Sequence, residues 1–246
     1  MPDHTLIFIA VVFAAAGFVK GVIGLGLPTI SMGLLAVVMP PVEAAAILIV
    51  PSLLTNVWQM LAGPSLRSVA WRLWPMMAGV CLGTWTGIGL MTGALARYGE
   101  MLLGIALALY AVIGLAAIRF TIPKERETLL GPVAGVVTGV ITAATGVFVI
   151  PAVPYLQAIG LKKEELVQAL GLSFTVSTLA LAVNVAVAGG LNVALAEPTL
   201  AALVVACIGM WLGQALRLRL SEAKFRRSFF GGLLLLGLYL AGRSLA

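Results

Sequence analysis

Apolar residues run through this chain in long stretches, and polar residues are confined to short interruptions between them. Crossing a hydrocarbon core of about 30 Å takes about 20 apolar residues. Windows of that kind fall at 43–62, 69–91, 99–118, 165–189, 195–216 and 226–245, which read as six ordinary transmembrane helices. Two further regions, 5–39 and 129–159, are too long for one span and are interrupted by small residues. Divided there, each gives pieces of about 15 residues, which reach only about 22 Å at 1.5 Å per residue. Both therefore read as broken or re-entrant helical hairpins, with non-helical backbone sheltered by protein or by a water-filled cavity.

The pattern also repeats. Cys81-Leu82-Gly83-Thr84-Trp85-Thr86-Gly87 matches Cys207-Ile208-Gly209-Met210-Trp211-Leu212-Gly213 as Cys-x-Gly-x-Trp-x-Gly. Gly17-Phe18-Val19-Lys20-Gly21-Val22-Ile23 likewise matches Gly135-Val136-Val137-Thr138-Gly139-Val140-Ile141. Together with the similar succession of spans, these matches suggest a first repeat over 1–120, a linker over 121–128 and a second repeat over 129–246. Trp85 and Trp211 lie mid-span and are expected to pack against the hairpins.

Loop charge orients the chain. If each broken region crossed once, the basic cluster at Arg217, Arg219, Lys224, Arg226 and Arg227 would face the side opposite Arg119, Lys124 and Arg126. If each returns to the side it came from, those residues join Arg67, Arg72, Lys162 and Lys163 on one side, as the positive-inside rule requires. Arg97 and Arg243 then fall outside, and Lys20 stays within the membrane. The expected fold class is thus an all-α polytopic membrane protein with two inverted-topology repeats, each a broken hairpin followed by three transmembrane helices. Both termini are expected outside, with the linker cytoplasmic.

Composition sharpens this picture without changing it. With 61% hydrophobic and 10% charged residues, the chain has too little polar surface for a soluble globule. Its +6 charge sits in short loops, so it reports orientation and not a nucleic-acid partner. The leader Met1-Pro2-Asp3-His4-Thr5 lacks the basic residues of a signal peptide. Cys81 and Cys207 lie inside apolar runs, so no disulfide, metal site or cofactor is expected. An intramembrane enzyme is disfavoured, because no carboxylate falls mid-span and the lone histidine is His4. The same distribution of carboxylates argues against a buried proton relay.

Candidate chemistry gathers at the breaks. Lys20 is the one ionisable residue predicted inside a membrane segment away from its ends, and such a charge points to a function, here with an anion. Gly24 and Gly26 would let backbone amides approach a ligand, and Pro28 suits the first turn of a half-helix whose dipole faces it. Ser52, Thr55, Asn56 and Gln59 share one face of the following span. Ser173, Ser177 and Asn184 share a face of the corresponding span in the second half, with Thr175 and Thr178 nearby, and Thr145 lies at the second break. Neutral hydroxyls and amides suit an oxyanion that must be held and then released. Their plainer role is hydrogen bonding between helices.

The glycine-rich motifs resemble those of the TauE/SafE family, the sulfite exporters also called toluene sulfonate uptake permeases. The resemblance rests on Gly17-x-x-Lys20-Gly21-x-x-Gly24-x-Gly26-x-Pro28, followed by Pro41-x-Glu43-Ala44. In the second half it rests on Gly135-x-x-x-Gly139, on Thr145-Gly146 leading to Pro151, and on Gly160-Leu161 leading to Ala169. One departure is Ala143-Ala144-Thr145-Gly146, where the family commonly shows a glycine cluster. The resemblance implies a transporter of small sulfur-containing anions, such as sulfite, isethionate, sulfoacetate or another organosulfonate, in the bacterial cytoplasmic membrane. The expected mechanism is alternating access between the two hairpin tips at a midplane site. The alternative is a channel-like anion pore with the same tips as a fixed filter.

Overall fold

The structure is a computed structural model that describes residues 3–92, 98–116, 121–219 and 221–244. Arg97 and Arg119, the end of the first repeat at 120 and the last residue of the final span lie outside the described residues.

Among the described residues there are ten α-helices and no strand. They are α1 Asp3–Ile23, α2 Leu27–Leu35, α3 Pro41–Leu61, α4 Leu66–Thr86, α5 Gly99–Ala116, α6 Lys124–Thr145, α7 Ala152–Ala158, α8 Lys163–Val187, α9 Ala196–Leu216 and α10 Glu222–Arg243. Six of the long helices (α1, α3, α5, α6, α8 and α9) are apolar enough to cross a membrane. The chain is a multi-pass membrane protein.

The helices divide the two broken regions unequally. The helices α1 and α6, with 21 and 22 residues, are each full spans of over about 30 Å. Their partners α2 and α7 have only 9 and 7 residues, so the expected pieces of equal length are not what forms. The reason lies in which glycines break the helix. Gly24 (φ 76°) ends α1 and Gly146 (φ 72°) ends α6, both in the left-handed region that glycine reaches without a Cβ penalty. Pro28, in the first turn of α2, then starts the return helix. Much of the stretch 121–128, read as linker, is already helical, because α6 begins at Lys124.

Gly17 and Gly21 stay inside α1 because they serve packing. Each faces the backbone of α9, at Ala206 and Met210, and Gly209 and Gly213 return the contact at Ala14 and Phe18. The α4–α6 pair is built alike, with Gly83 against Val136 and Gly139 against Val80. A Cβ at any of these positions would collide with the facing backbone, which is how small residues bring membrane helices together. Gly17 against Ala206 corresponds to Gly139 against Val80, since Ala206 and Val80 each precede the cysteine of the repeated motif. The packing therefore sets Gly17 alongside Gly139, one turn beyond the Gly135 that the sequence match selects. Trp85 and Trp211 project the opposite way, 49% and 67% exposed, so it is the glycines of that motif that pack.

The helix α8 runs antiparallel to α3 and also packs on α4, while α5 pairs with α10. At one end of the bundle, Gln168 holds the α3–α4 turn through the Met60 and Gly63 carbonyls. There too Arg72 forms a two-pronged ion pair with Glu127 and donates to the Ile159 carbonyl. At the other end Arg243 donates to the Val37 carbonyl, and Val42 lies against Gly190. The return of α2 to the Val37 end, and of α7 to the Arg72 end where Ile122 N–H meets the Ala158 carbonyl, means each broken region finishes where it began.

Candidate functional site

The site is built where α1 stops. Gly24 N–H caps the Lys20 carbonyl at 2.7 Å, so Lys20 lies in the last helical turn, next to the negative end of the helix dipole. Its side chain reaches sideways to α3. The Lys20 ammonium donates to Thr55 Oγ1 at 3.1 Å and to Asn56 Oδ1. Only 4% of Lys20 is exposed, and it is the one charged side chain among the described residues that is buried. Among those residues the ion pair is Arg72–Glu127, so Lys20 is held by neutral oxygens alone.

The network beyond Lys20 runs in one direction. Asn56 Nδ2 donates to Ser52 Oγ at 3.0 Å and to Thr178 Oγ1 at 3.3 Å. Thr178 gives its own proton to the Phe174 carbonyl at 2.6 Å, which leaves Ser52 the donor in the 3.2 Å Ser52–Thr178 contact. Thr55 donates to the Pro51 carbonyl at 2.8 Å, its i−4 position. An ammonium has three N–H donors, and the described residues give two of Lys20's an acceptor. The hydroxyls and amide around it are meanwhile committed to one another. Thus Lys20, Ser52, Thr55 and Asn56, four of the residues singled out from sequence, converge with Thr178.

The remaining candidates are placed around this cluster. One turn beyond Thr55 and Asn56, Gln59 donates to the Gly24 carbonyl at 3.3 Å and to the Val167 carbonyl at 3.1 Å, which ties the first tip to α3 and α8. Gly26 (φ 112°) accepts from Thr29 Oγ1 at 3.0 Å and caps α2. Ser173 and Ser177 are fully buried on α8 and their hydroxyls have no hydrogen-bond partner. The second tip packs nearby, with Phe148 against Phe174 at 5.3 Å between ring centroids. Over it lies α2, since a Cβ at Gly146 would come within 2.7 Å of Met32 Cε. Thr145 closes that tip on itself, donating to the Ile141 carbonyl and accepting from Val147 N–H. Asn184 stands apart, donating to the Thr84 carbonyl of α4 at 3.2 Å.

Two residues emerge that sequence reasoning did not assign to a site. Thr178 was noted only as a neighbour, and its signal is its place one step from Ser177 on a helix that meets both halves. Gln168, fully buried near the start of α8, had no signal beyond being an amide in an apolar segment.

A family model described as Sulfite exporter TauE/SafE matches residues 8–240 of the chain. No curated protein and no solved structure matches it.

Proposed function

The chain belongs to the sulfite exporter TauE/SafE family, whose members are membrane transporters, and on that premise we propose that it is a secondary carrier of small sulfur-containing anions. The substrate would be an organosulfonate such as isethionate or sulfoacetate, or sulfite. The observation that carries the reading is Lys20, a buried ammonium satisfied only by neutral oxygens. Burying such a charge without a counter-ion costs several kcal/mol, partly offset by hydrogen bonds to the charged group. A substrate anion would supply the counter-charge, and Thr55 and Asn56 hold the ammonium until it arrives.

The proposed cycle follows from who holds Lys20. In the arrangement described, the cluster is closed, which favours a carrier over a standing pore. Loading would exchange part of the Lys20–Thr55–Asn56 bonding for bonds to a sulfonate oxygen, with Ser173 and Ser177 as further donors from the second half. The two hairpins would belong to inverted repeats, so that rocking one against the other opens the site alternately to each side. The tight α1–α9 and α4–α6 pairs, each joining a hairpin helix to a span of the other half, are suited to move as units. The end bearing Arg67, Arg72, Lys162 and Lys163 would face the cytoplasm of a bacterium, and both termini the outside.

The test is uptake of labelled isethionate or sulfite into proteoliposomes containing the purified protein. The wild type should give saturable flux, and Lys20→Ala should reduce it by about 100-fold, the factor set by losing about 3 kcal/mol of charge-assisted bonding. Undiminished saturable flux in that variant would overturn the role of Lys20. Non-saturating flux with single-channel currents would favour the pore.

A further inference from the structure

We infer that the Lys20 site takes anions carrying a single negative charge and rejects isosteric dianions, so that within the class proposed above it favours monoanionic sulfonates and hydrogensulfite over sulfite dianion and sulfoacetate. The inference rests on the carrier reading and adds a charge rule to it.

Three observations lead there. The first is a census of charge: Lys20 is the one buried charged side chain among the described residues, and every group it touches is neutral. A monoanion beside Lys20 makes a net-neutral pair. A dianion leaves one charge uncompensated in a site from which water is excluded, where the field of an unpaired charge is least screened.

The second is a census of donors. Asn56 gives both its N–H bonds to Ser52 and Thr178, and Thr55 and Thr178 donate to the carbonyls of Pro51 and Phe174. The strong donor left over is the third N–H of Lys20. The α8 hydroxyls left without a partner are those of Ser177, next to Thr178 in the sequence, and of Ser173 one turn before it. One cationic donor with two hydroxyls matches the three oxygens of a sulfonate sharing one charge.

The third is that, among the described residues, no second cation is buried beside Lys20. Arg72 is engaged by Glu127, and Arg243 by the Val37 carbonyl at the far end. The negative end of the α1 dipole, beside Lys20, further opposes a second negative charge.

Methanesulfonate and sulfate test this, because they are both tetrahedral, nearly equal in size and differ by one charge. Each is titrated against the purified full chain in detergent, with binding read as the rise in melting temperature and by calorimetry. Methanesulfonate should bind at least about tenfold more tightly than sulfate, a difference of about 1.4 kcal/mol. Methylphosphonate provides a second measurement within one molecule, and its affinity should fall as it passes from monoanion to dianion with rising pH, while that of methanesulfonate holds over the same range. Holding constant also shows that the titrating group is the ligand. Equal or tighter binding of sulfate overturns the charge rule and leaves the carrier reading standing. Binding of none of these anions, nor of isethionate or sulfite, overturns the carrier reading together with it. These comparisons use the wild-type protein, so they do not depend on a Lys20 variant that folds.

Discussion

At the scale of single residues, the feature that organises the site is a lysine whose charge is answered by an amide. Asn56 accepts from Lys20 and passes hydrogen bonds on to Ser52 and Thr178, so it is the hub between α1, α3 and α8. Asn56→Ala removes an acceptor from a buried ammonium and the donor that Ser52 and Thr178 share, and should destabilise the protein by about 2–3 kcal/mol. Asn56→Asp keeps the shape and puts a carboxylate against Lys20. That variant should melt at or above the wild-type temperature and yet lose anion binding, because the counter-charge is then built in. Thermal unfolding and methanesulfonate titration of the two variants separate the outcomes. An Asn56→Asp protein that still binds methanesulfonate with wild-type affinity would show that Lys20 does not pair with the ligand. Lys20 was legible in the sequence, because an ion in the middle of an apolar run has no cheap structural explanation. The partners were legible on α3, where Ser52, Thr55 and Asn56 repeat at helical spacing. They were less so on α8, where Ser173, Ser177 and Asn184 share a face in the sequence, whereas in the structure Asn184 donates to the Thr84 carbonyl and the two serine hydroxyls have no hydrogen-bond partner. Spacing along one helix fixes which residues share a face, and leaves open which neighbouring helix that face meets.

At the scale of elements, glycine does two jobs that look the same in a sequence. Gly24 and Gly146 terminate helices through positive φ, whereas Gly17, Gly21, Gly83 and Gly139 lie in unbroken helices and admit a neighbouring backbone. That is why the two broken regions were recognisable while their division was not. The glycines from Gly17 onward read as one break, and only Gly24 ends the helix, with Gly26 and Pro28 starting the next one. The same reasoning corrects the repeated tryptophans. Two residues from Gly83 and Gly209 along their helices, Trp85 and Trp211 point away from the face that packs, and both remain exposed. Gly17→Leu should therefore separate α1 from α9 and cost about 3 kcal/mol or more, by overpacking against backbone that cannot yield. Gly232→Ala in α10, where an added Cβ meets nothing within 4 Å, should be neutral or stabilise by up to about 1 kcal/mol. Equal melting temperatures for Gly17→Leu and wild type would show that the α1–α9 contact is not a close one in the folded protein.

At the scale of the whole molecule, the hairpins decide the orientation of everything after them. Six spans could be counted from hydrophobic length alone, but length leaves open whether a broken region crosses or returns, and a single crossing would reverse every later loop. Loop charge answered this in the sequence, and in the structure α2 ends beside Arg243 while α7 ends beside Arg72, each at the end where its hairpin began. If the basic end faces the cytoplasm, Val38 and Ser68, both exposed and at opposite ends, lie on opposite sides of the membrane. With Cys81 and Cys207 replaced by alanine, a single cysteine at Val38→Cys should react with a membrane-impermeant maleimide on intact cells. One at Ser68→Cys should react only after the cells are opened. The reverse pattern would invert the orientation but keep the hairpins, whereas labelling of both positions from one side would mean that α3 does not cross and would dismantle the topology on which alternating access depends. The expected pattern follows from a physical asymmetry that the helices do not set. Lys124, Lys162, Arg217 and Arg226 flank helix termini at one end, and it is the difficulty of translocating such residues that would hold that end in the cytoplasm.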